Sequence, residues 1–353
     1  MAFRAIIAGA TGLIGSNLAE HLISQGWQVY GLARKPQGGI PGLRPVAADL
    51  LDPQTLRSSL ADVHPTHVFF TTWVRRATEE ENIAANGALV RNVLAALEPS
   101  KSLRHAALVT GLKHYLGPFE DYAKVNVETP LREEMPRLPA PNFFYAQEDA
   151  LFEAAKRQGF TWSVHRSHTT IGYSIGTSMN MGATLAVYAT ICREIGRPFI
   201  FPGSRQQWDG LTDVTDARIL AKHMEWAATS EAGRNQAFNI VNGDIFRWRW
   251  LWPKLAANFG IEAAPYPARR MPLEPQLAEA GPTWADIATK HQLVEHDLSK
   301  LQSAWHTDMD LGREIEVVTD MTKSRLAGFH EYQPTLRSFL DLFARLRKER
   351  IIP

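Results

Sequence analysis

Phe3-Arg4-Ala5-Ile6-Ile7-Ala8-Gly9-Ala10-Thr11-Gly12-Leu13-Ile14-Gly15 opens the chain and decides its fold. A short apolar run ends in a glycine turn. Residues 16–25 then show helical spacing at Leu18, Leu22 and Ile23, and Gly26 stops them. Strand, glycine-rich turn and helix in that order begin a dinucleotide-binding sheet. The spacing is G-x-x-G-x-x-G: Gly9 permits a tight turn, Gly12 lets backbone approach a pyrophosphate, and Gly15 lets helix pack on strand. The helix N-terminus offers its unpaired N–H groups to the phosphates, so Thr11, Leu13 and Ile14 join the glycines as expected cofactor-binding residues.

Working outward, residues 27–33 read as a second strand ending in Arg34-Lys35. An acidic residue there would grip a ribose 2′-OH, whereas a basic pair suits a 2′-phosphate, which favours NADPH over NADH. A third strand leads to Asp49-Leu50, placed to meet the adenine, and Asp52-Pro53 reads as the next helix cap. The buried strand 66–72 ends at Trp73, a candidate wall for nicotinamide or substrate, because ligands sit at the carboxyl ends of parallel strands. Helix 79–97 carries Asn86 inward as a candidate amide near the cofactor, and strand 103–110 is followed closely by Lys113. His64 and His67 have metal-like spacing, but Pro65 separates them and no carboxylate or cysteine cluster accompanies them, so no metal is expected.

The expected class is α/β: a Rossmann-type doubly wound parallel sheet with a smaller, mostly helical C-terminal substrate lobe. Residues 1–170 form the cofactor domain and 171–353 the lobe, with part of 210–245 returning to the sheet. Residues 265–282 read as a Pro-rich loop, and Thr335 as the cap of a closing helix at 336–348. Seven of the ten tryptophans lie beyond residue 200, either as aromatic walls or as core.

The 353 residues carry 38 Lys plus Arg against 37 Asp plus Glu, so neither nucleic acid nor an anionic membrane is expected as a partner. A single cysteine, Cys192, excludes an intrachain disulfide and fits a reducing, cytoplasmic setting. No signal peptide and no apolar run long enough to span a bilayer is visible. A homodimer is an open expectation.

Enzymes on such sheets commonly carry Tyr-x-x-x-Lys at a helix start. None of the eight tyrosines here has Lys four residues on; Tyr145, in Asn142-Phe143-Phe144-Tyr145-Ala146-Gln147-Glu148-Asp149, is followed by Asp149. Residues four apart share a helix face, so the usual cation beside the phenol must come from elsewhere, and Lys113 is the candidate.

Several stretches together resemble the progesterone 5-beta-reductase and iridoid synthase family, atypical short-chain dehydrogenases/reductases. They are the glycine turn, Gly31-Leu32-Ala33-Arg34, Thr72-Trp73, Lys113-His114-Tyr115-Leu116-Gly117-Pro118-Phe119-Glu120, the Asn142–Asp149 stretch, Trp162-Ser163-Val164-His165-Arg166, Phe201-Pro202-Gly203, Trp208-Asp209-Gly210 and the tail Ile351-Ile352-Pro353. The resemblance implies NADPH-dependent reduction of the activated C=C bond of enones and enals. Tyr145 and Lys113 are then the catalytic pair, Arg34 falls on the 2′-phosphate, and Trp73 on a pocket wall. Thr72, Thr110, Thr170, Ser178 and Met179 join the cofactor-binding set, and Phe119 and Asn180 the substrate-binding set. Two departures stand out. The family's His-Arg-Pro-Gly is His165-Arg166-Ser167-His168, and the first tyrosine of its Phe-Tyr-Tyr is Phe144, which leaves the second as the expected phenol.

Hydride addition to an enone β-carbon leaves an enolate, which needs a hydrogen-bond donor or a cation but not full proton transfer. A ketoreductase or alcohol dehydrogenase, the alternative on this scaffold, must protonate an alkoxide. A sugar-nucleotide epimerase is weakened by the missing Tyr-x-x-x-Lys, and a non-catalytic NADP(H) sensor by the presence of both Tyr145 and Lys113.

Overall fold

The structure, a computed structural model, describes residues 3–34, 39–118, 127–177 and 179–353. Seven parallel strands form one sheet in the order β3-β2-β1-β4-β5-β6-β9. They are β1 (Arg4–Ala8), β2 (Gln28–Ala33), β3 (Arg44–Ala47), β4 (His67–Phe70), β5 (His105–Gly111), β6 (Thr161–Ser167) and β9 (Gln236–Ile240). Strand order reverses between β1 and β4, the switch point where doubly wound sheets bind ligands.

Alternation along each strand feeds two cores. Ile6, Ala8, Val68 and Phe70 pack beneath α2 (Pro53–Leu60), α3 (Glu79–Leu97) and α5 (Phe143–Gln158). Ala5, Ile7 and Phe69 face the other way, toward α1 (Leu13–Ser24) and α8 (Ala217–Thr229). Residues 215–240 therefore leave the sheet region and return to it: α8 covers one face, and β9 pairs with β6 in parallel register, Arg166 opposite Asn239.

The C-terminal lobe has its own core. Trp248, Trp252 and Trp284 are fully buried there among Phe199, Phe201, Phe339 and Phe343, and Phe199 stacks on Trp252 at 3.9 Å. Most of the late aromatic content is thus packing, although Trp250 on α9 (Trp248–Asn258) stays exposed. Two local expectations are corrected. The Pro-rich stretch 265–282 contains α10 (Leu273–Leu277), and α11 (Gly281–Lys290) begins within it, because Pro at the first helical turn forfeits only an N–H that was already unpaired. Thr335 is the first residue of α14 (Thr335–Lys348) and not its cap; its hydroxyl and N–H both donate to Asp244.

Candidate active site at the carboxyl edge of the sheet

The turn after β1 has the shape a dinucleotide needs. Gly9 has φ +93°, and a Cβ there would sit 2.5 Å from Cβ of Thr72. A Cβ on Gly15 would lie 2.1 Å from the Gly9 carbonyl oxygen, so helix and strand meet as closely as backbone allows. On Gly12 the nearest atom would be 3.4 Å away, which leaves that face open to a ligand. Gly12 is also the N-cap of α1 and supplies no side-chain acceptor, so the first N–H groups of the helix, with Leu13 buried and Ile14 half-buried, face an anion site. Arg34 is exposed just past β2. Asp49, at the end of β3, accepts from the Leu51 N–H at 2.9 Å, and the Leu50 carbonyl accepts from Asn92. At the end of β5 the Thr110 hydroxyl is buried and has no hydrogen-bond partner among the described residues, an orphaned polar atom suited to a ligand. These groups fit a dinucleotide laid across the carboxyl edge. Lys35, Phe119 and Ser178 lie outside the described residues.

Lys113 begins a single turn, α4 (Lys113–Leu116), two residues past β5, and is buried. Asn142 fixes it to α5. The Asn142 side chain caps that helix by accepting from the Phe144 N–H at 3.0 Å and donates to the Lys113 carbonyl at 2.8 Å. Glu79, from the start of α3, accepts from the Phe143 N–H at 2.8 Å. The Phe143 ring then lies under the Lys113 ammonium at 4.7 Å and stacks on Trp73 at 5.0 Å. A cation, two aromatic faces and the end of β5 therefore share one wall.

Tyr145 does not open onto that wall. Its hydroxyl donates to the His114 carbonyl at 2.8 Å and accepts from the Leu138 N–H at 3.0 Å. The Arg137 guanidinium covers its ring at 4.8 Å and also pairs with Asp149 at 2.7 Å and Glu148 at 2.7 Å. Asp149, standing where a lysine is usual, is thus neutralised from the preceding loop. Burial pushes the phenol pKa up, and the Glu148 carboxylate adds to the shift. The expected phenol of Tyr145 thus has its one proton committed to a backbone carbonyl in this structure. One residue earlier, Phe144 is half-buried and faces the carboxyl edge: its Cε2 would lie 3.6 Å and its Cζ 3.9 Å from a Cβ on Gly111. Consecutive helical residues differ in direction by about 100°, and that angle separates the two outcomes. Tyr115 is no substitute, since it donates to Asn239 at 2.6 Å and burial pushes its pKa up to about 12.

Asn180 is also spent locally. It caps α6 (Met181–Glu194) by accepting from the Ala183 N–H at 3.1 Å and donates to the Ser174 carbonyl at 3.0 Å. Asn86 brackets Val74, its amide accepting from the Val74 N–H and donating to the Val74 carbonyl, both at 2.8 Å, and so shapes the loop after β4. Met179 is half-buried beside Asn180, whose N–H donates to Ser303 at 2.9 Å. Ser303, Glu274, Gln302 and Trp305 line a cavity of about 530 Å³ there. Thr170, in β7 (Thr170–Ile171), donates to the His168 carbonyl at 3.3 Å. Where the resemblance expects Pro-Gly, His168 bridges Asp213 at 2.7 Å and Arg313 at 2.6 Å, a buried side-chain clamp that the sequence signals only as a departure.

Sheet order, glycine turn and cation-bearing wall define a dinucleotide-dependent oxidoreductase of the Rossmann class. The model of the PRISE-like Rossmann-fold domain matches residues 47–353, and the chain belongs to that family. It is 39% identical to an (S)-8-oxocitronellyl enol synthase of Nepeta cataria over 363 residues, 99% of this chain and 93% of the relative. It is 38% identical to a 3-oxo-Delta(4,5)-steroid 5-beta-reductase of Arabidopsis thaliana, again over 99% of this chain and 93% of the relative. Among solved structures, a Thermus thermophilus UDP-glucose 4-epimerase in complex with NAD superposes with a TM-score of 0.64 at 17% identity, covering 97% of this chain and 99% of that one, which speaks to fold alone.

Proposed function

We propose that this protein reduces the activated C=C bond of enones and enals with NADPH, by 1,4-addition. The observation that carries the reading is a buried ammonium, Lys113, over the Phe143 ring at the end of β5, while the Tyr145 phenol is turned to a backbone carbonyl. The relatives, an enol synthase and a Delta(4,5)-steroid 5-beta-reductase, point to the same chemistry.

NADPH supplies the hydride. The chain's residues do the rest. Gly12 and the start of α1 receive the pyrophosphate, and Arg34 the 2′-phosphate. Trp73, backed by the buried Phe143 ring, flanks the conjugated system and keeps water from it. Lys113 faces the carbonyl oxygen and stabilises the negative charge that gathers there as the alkene electrons shift. One preorganised group of this kind contributes ~3–4 kcal/mol. The α-carbon takes its proton from solvent once the enolate has formed. A carbonyl reductase would instead need a donor able to surrender its proton to an alkoxide, and Tyr145 is poorly placed for that.

The substrate is a small molecule, and the lone cysteine, Cys192, buried and free, fits a cytoplasmic setting. A homodimer is part of the proposal and is read directly by light scattering.

NADPH oxidation with 2-cyclohexenone and with a linear enal, followed by product analysis, tests the reading. Saturated carbonyl is expected, and allylic alcohol would favour the ketoreductase. Lys113→Met should lower the enone rate ~100-fold or more while NADPH still binds; an unchanged rate would remove Lys113 from the mechanism.

A further inference from the structure

Phe144 is the residue of this wall that no role yet explains. Its ring lies against Phe143 at 4.4 Å, and the Phe143 ring carries the Lys113 ammonium at 4.7 Å. Its Cζ points toward Gly111, the last residue of β5, opposite Ser167 at the end of β6. Gly111 has no side chain, so this ring edge meets backbone there, with the Ser167 carbonyl oxygen 3.1 Å from where a Gly111 Cβ would stand. A hydroxyl on Cζ would stand on the same wall as the ammonium. Phenylalanine places a C–H there and offers the substrate oxygen nothing.

We propose that Phe144 determines the specificity of this site: it withholds a second hydrogen-bond donor from the substrate oxygen, so Lys113 stabilises the enolate without help and turnover favours strongly electron-poor alkenes, enals and ene-diones, over simple or hindered enones, which react more slowly. This rests on the enone-reductase reading and sharpens its substrate class. The electron balance is that of the parent reaction. Hydride forms a C–H bond at the β-carbon, the alkene pair moves to make the enolate, NADPH is oxidised, and a solvent proton on the α-carbon restores the carbonyl. What changes is the threshold. With one charge and no phenol, the substrate must itself bear more of the developing negative charge.

The test compares wild type, Phe144→Tyr and Phe144→Leu on a matched enal and cyclic enone, with a binding readout that needs no turnover. For binding, 4-nitrophenol serves as an enolate-like oxyanion, titrated spectrophotometrically against each protein in the presence of NADP⁺. Wild type should favour the enal strongly. Phe144→Tyr should raise the enone rate on the order of 10-fold or more, within the ~10²–10³ that one oxyanion donor contributes, and should bind 4-nitrophenolate correspondingly tighter. Phe144→Leu, which adds no donor, should shift neither the enal-to-enone ratio nor the nitrophenolate affinity in the direction of Phe144→Tyr, which shows that the hydroxyl and not a change of packing is responsible. If Phe144→Tyr leaves both the enal-to-enone ratio and nitrophenolate affinity unchanged while folding as judged by thermal melting, the inference is wrong and the enone-reductase reading stands. If wild type reduces neither substrate at C=C, the parent reading itself fails.

Discussion

The direction of one side chain separates what the Asn142–Asp149 stretch suggests from what it builds. Phe143, Phe144 and Tyr145 are three aromatics in a row, and a motif read as letters cannot tell which of them a helix turns toward the sheet edge. The hydrogen bonds can. Tyr145 ties residue 138 to residue 114 through its hydroxyl, so it works as a latch between the loop before α5 and the turn after β5. Tyr145→Phe should therefore cost stability, about 1–3 kcal/mol for two backbone groups left without a partner, and should leave the enone rate within a few-fold of wild type. Urea denaturation and steady-state kinetics on the same preparation check it. A large fall in turnover at undiminished stability would return the phenol to the chemistry. The place of Lys113, by contrast, was legible, two residues beyond a strand's carboxyl end, because position along a strand survives in sequence where rotation about a helix does not.

At the level of elements, the Rossmann half was readable because each unit carries its own punctuation. The β1 turn is marked by glycines, α2 by the Asp52 cap that accepts from the Gln54 and Thr55 N–H groups, and α3 by the Thr78 cap. The lobe was readable only in part. Its closing helix α14 stands where the sequence puts it, but α10 and α11 sit among prolines, and amides elsewhere act as local fasteners, Asn180 capping α6 and, in the Rossmann half, Asn86 holding Val74. The glycine turn yields a paired prediction because its three glycines are constrained differently. Gly12→Ala adds a methyl 3.4 Å from its nearest neighbour, on the ligand face. It should melt like wild type and lose NADPH affinity at least ~10-fold, since the methyl stands where backbone must approach phosphate. Gly15→Ala drives a methyl to 2.1 Å from the Gly9 carbonyl. It should lower the melting temperature of the protein without cofactor as well. Isothermal titration and thermal melting separate the two, and equal melting temperatures for both variants would show that the turn relaxes freely.

Across the whole molecule, one buried chain of polar groups joins parts that are distant in sequence. Thr161, His105, Ser163, His165, His223 and Ser324 are linked in series at 2.8–3.1 Å, from β5 and β6 through α8 to α13 (Thr322–Leu326). The hydroxyls at its two ends, Thr161 beside the Arg104 carbonyl and Ser324 beside the Asn239 carbonyl, have one proton each, so the series runs in one direction from end to end, with one donor and one acceptor nitrogen on every neutral imidazole. The series is complete only while all three imidazoles are neutral. Burial lowers His105 and His223 to about 3 and His67, beside His105, to about 4; His165 is driven well below its ordinary value by burial and then by His223. The sign follows from linkage. The unfolded chain takes up these protons below about pH 6.5 and the folded chain refuses them, so stability is intact above that pH and drains away as pH falls toward the folded values. Each such histidine withdraws about 1.4 kcal/mol per pH unit in that window, and several acting together exhaust an ordinary stability of roughly 5–15 kcal/mol before pH 4. Tryptophan fluorescence against pH should therefore show a steep, cooperative loss of structure with its midpoint between about pH 4 and 5.5. Proton uptake at the midpoint should exceed one per chain. A protein still folded at pH 3 would mean that the imidazoles take up protons without breaking the series, and that the two halves of the sheet are held together by something other than this chain of neutral donors and acceptors.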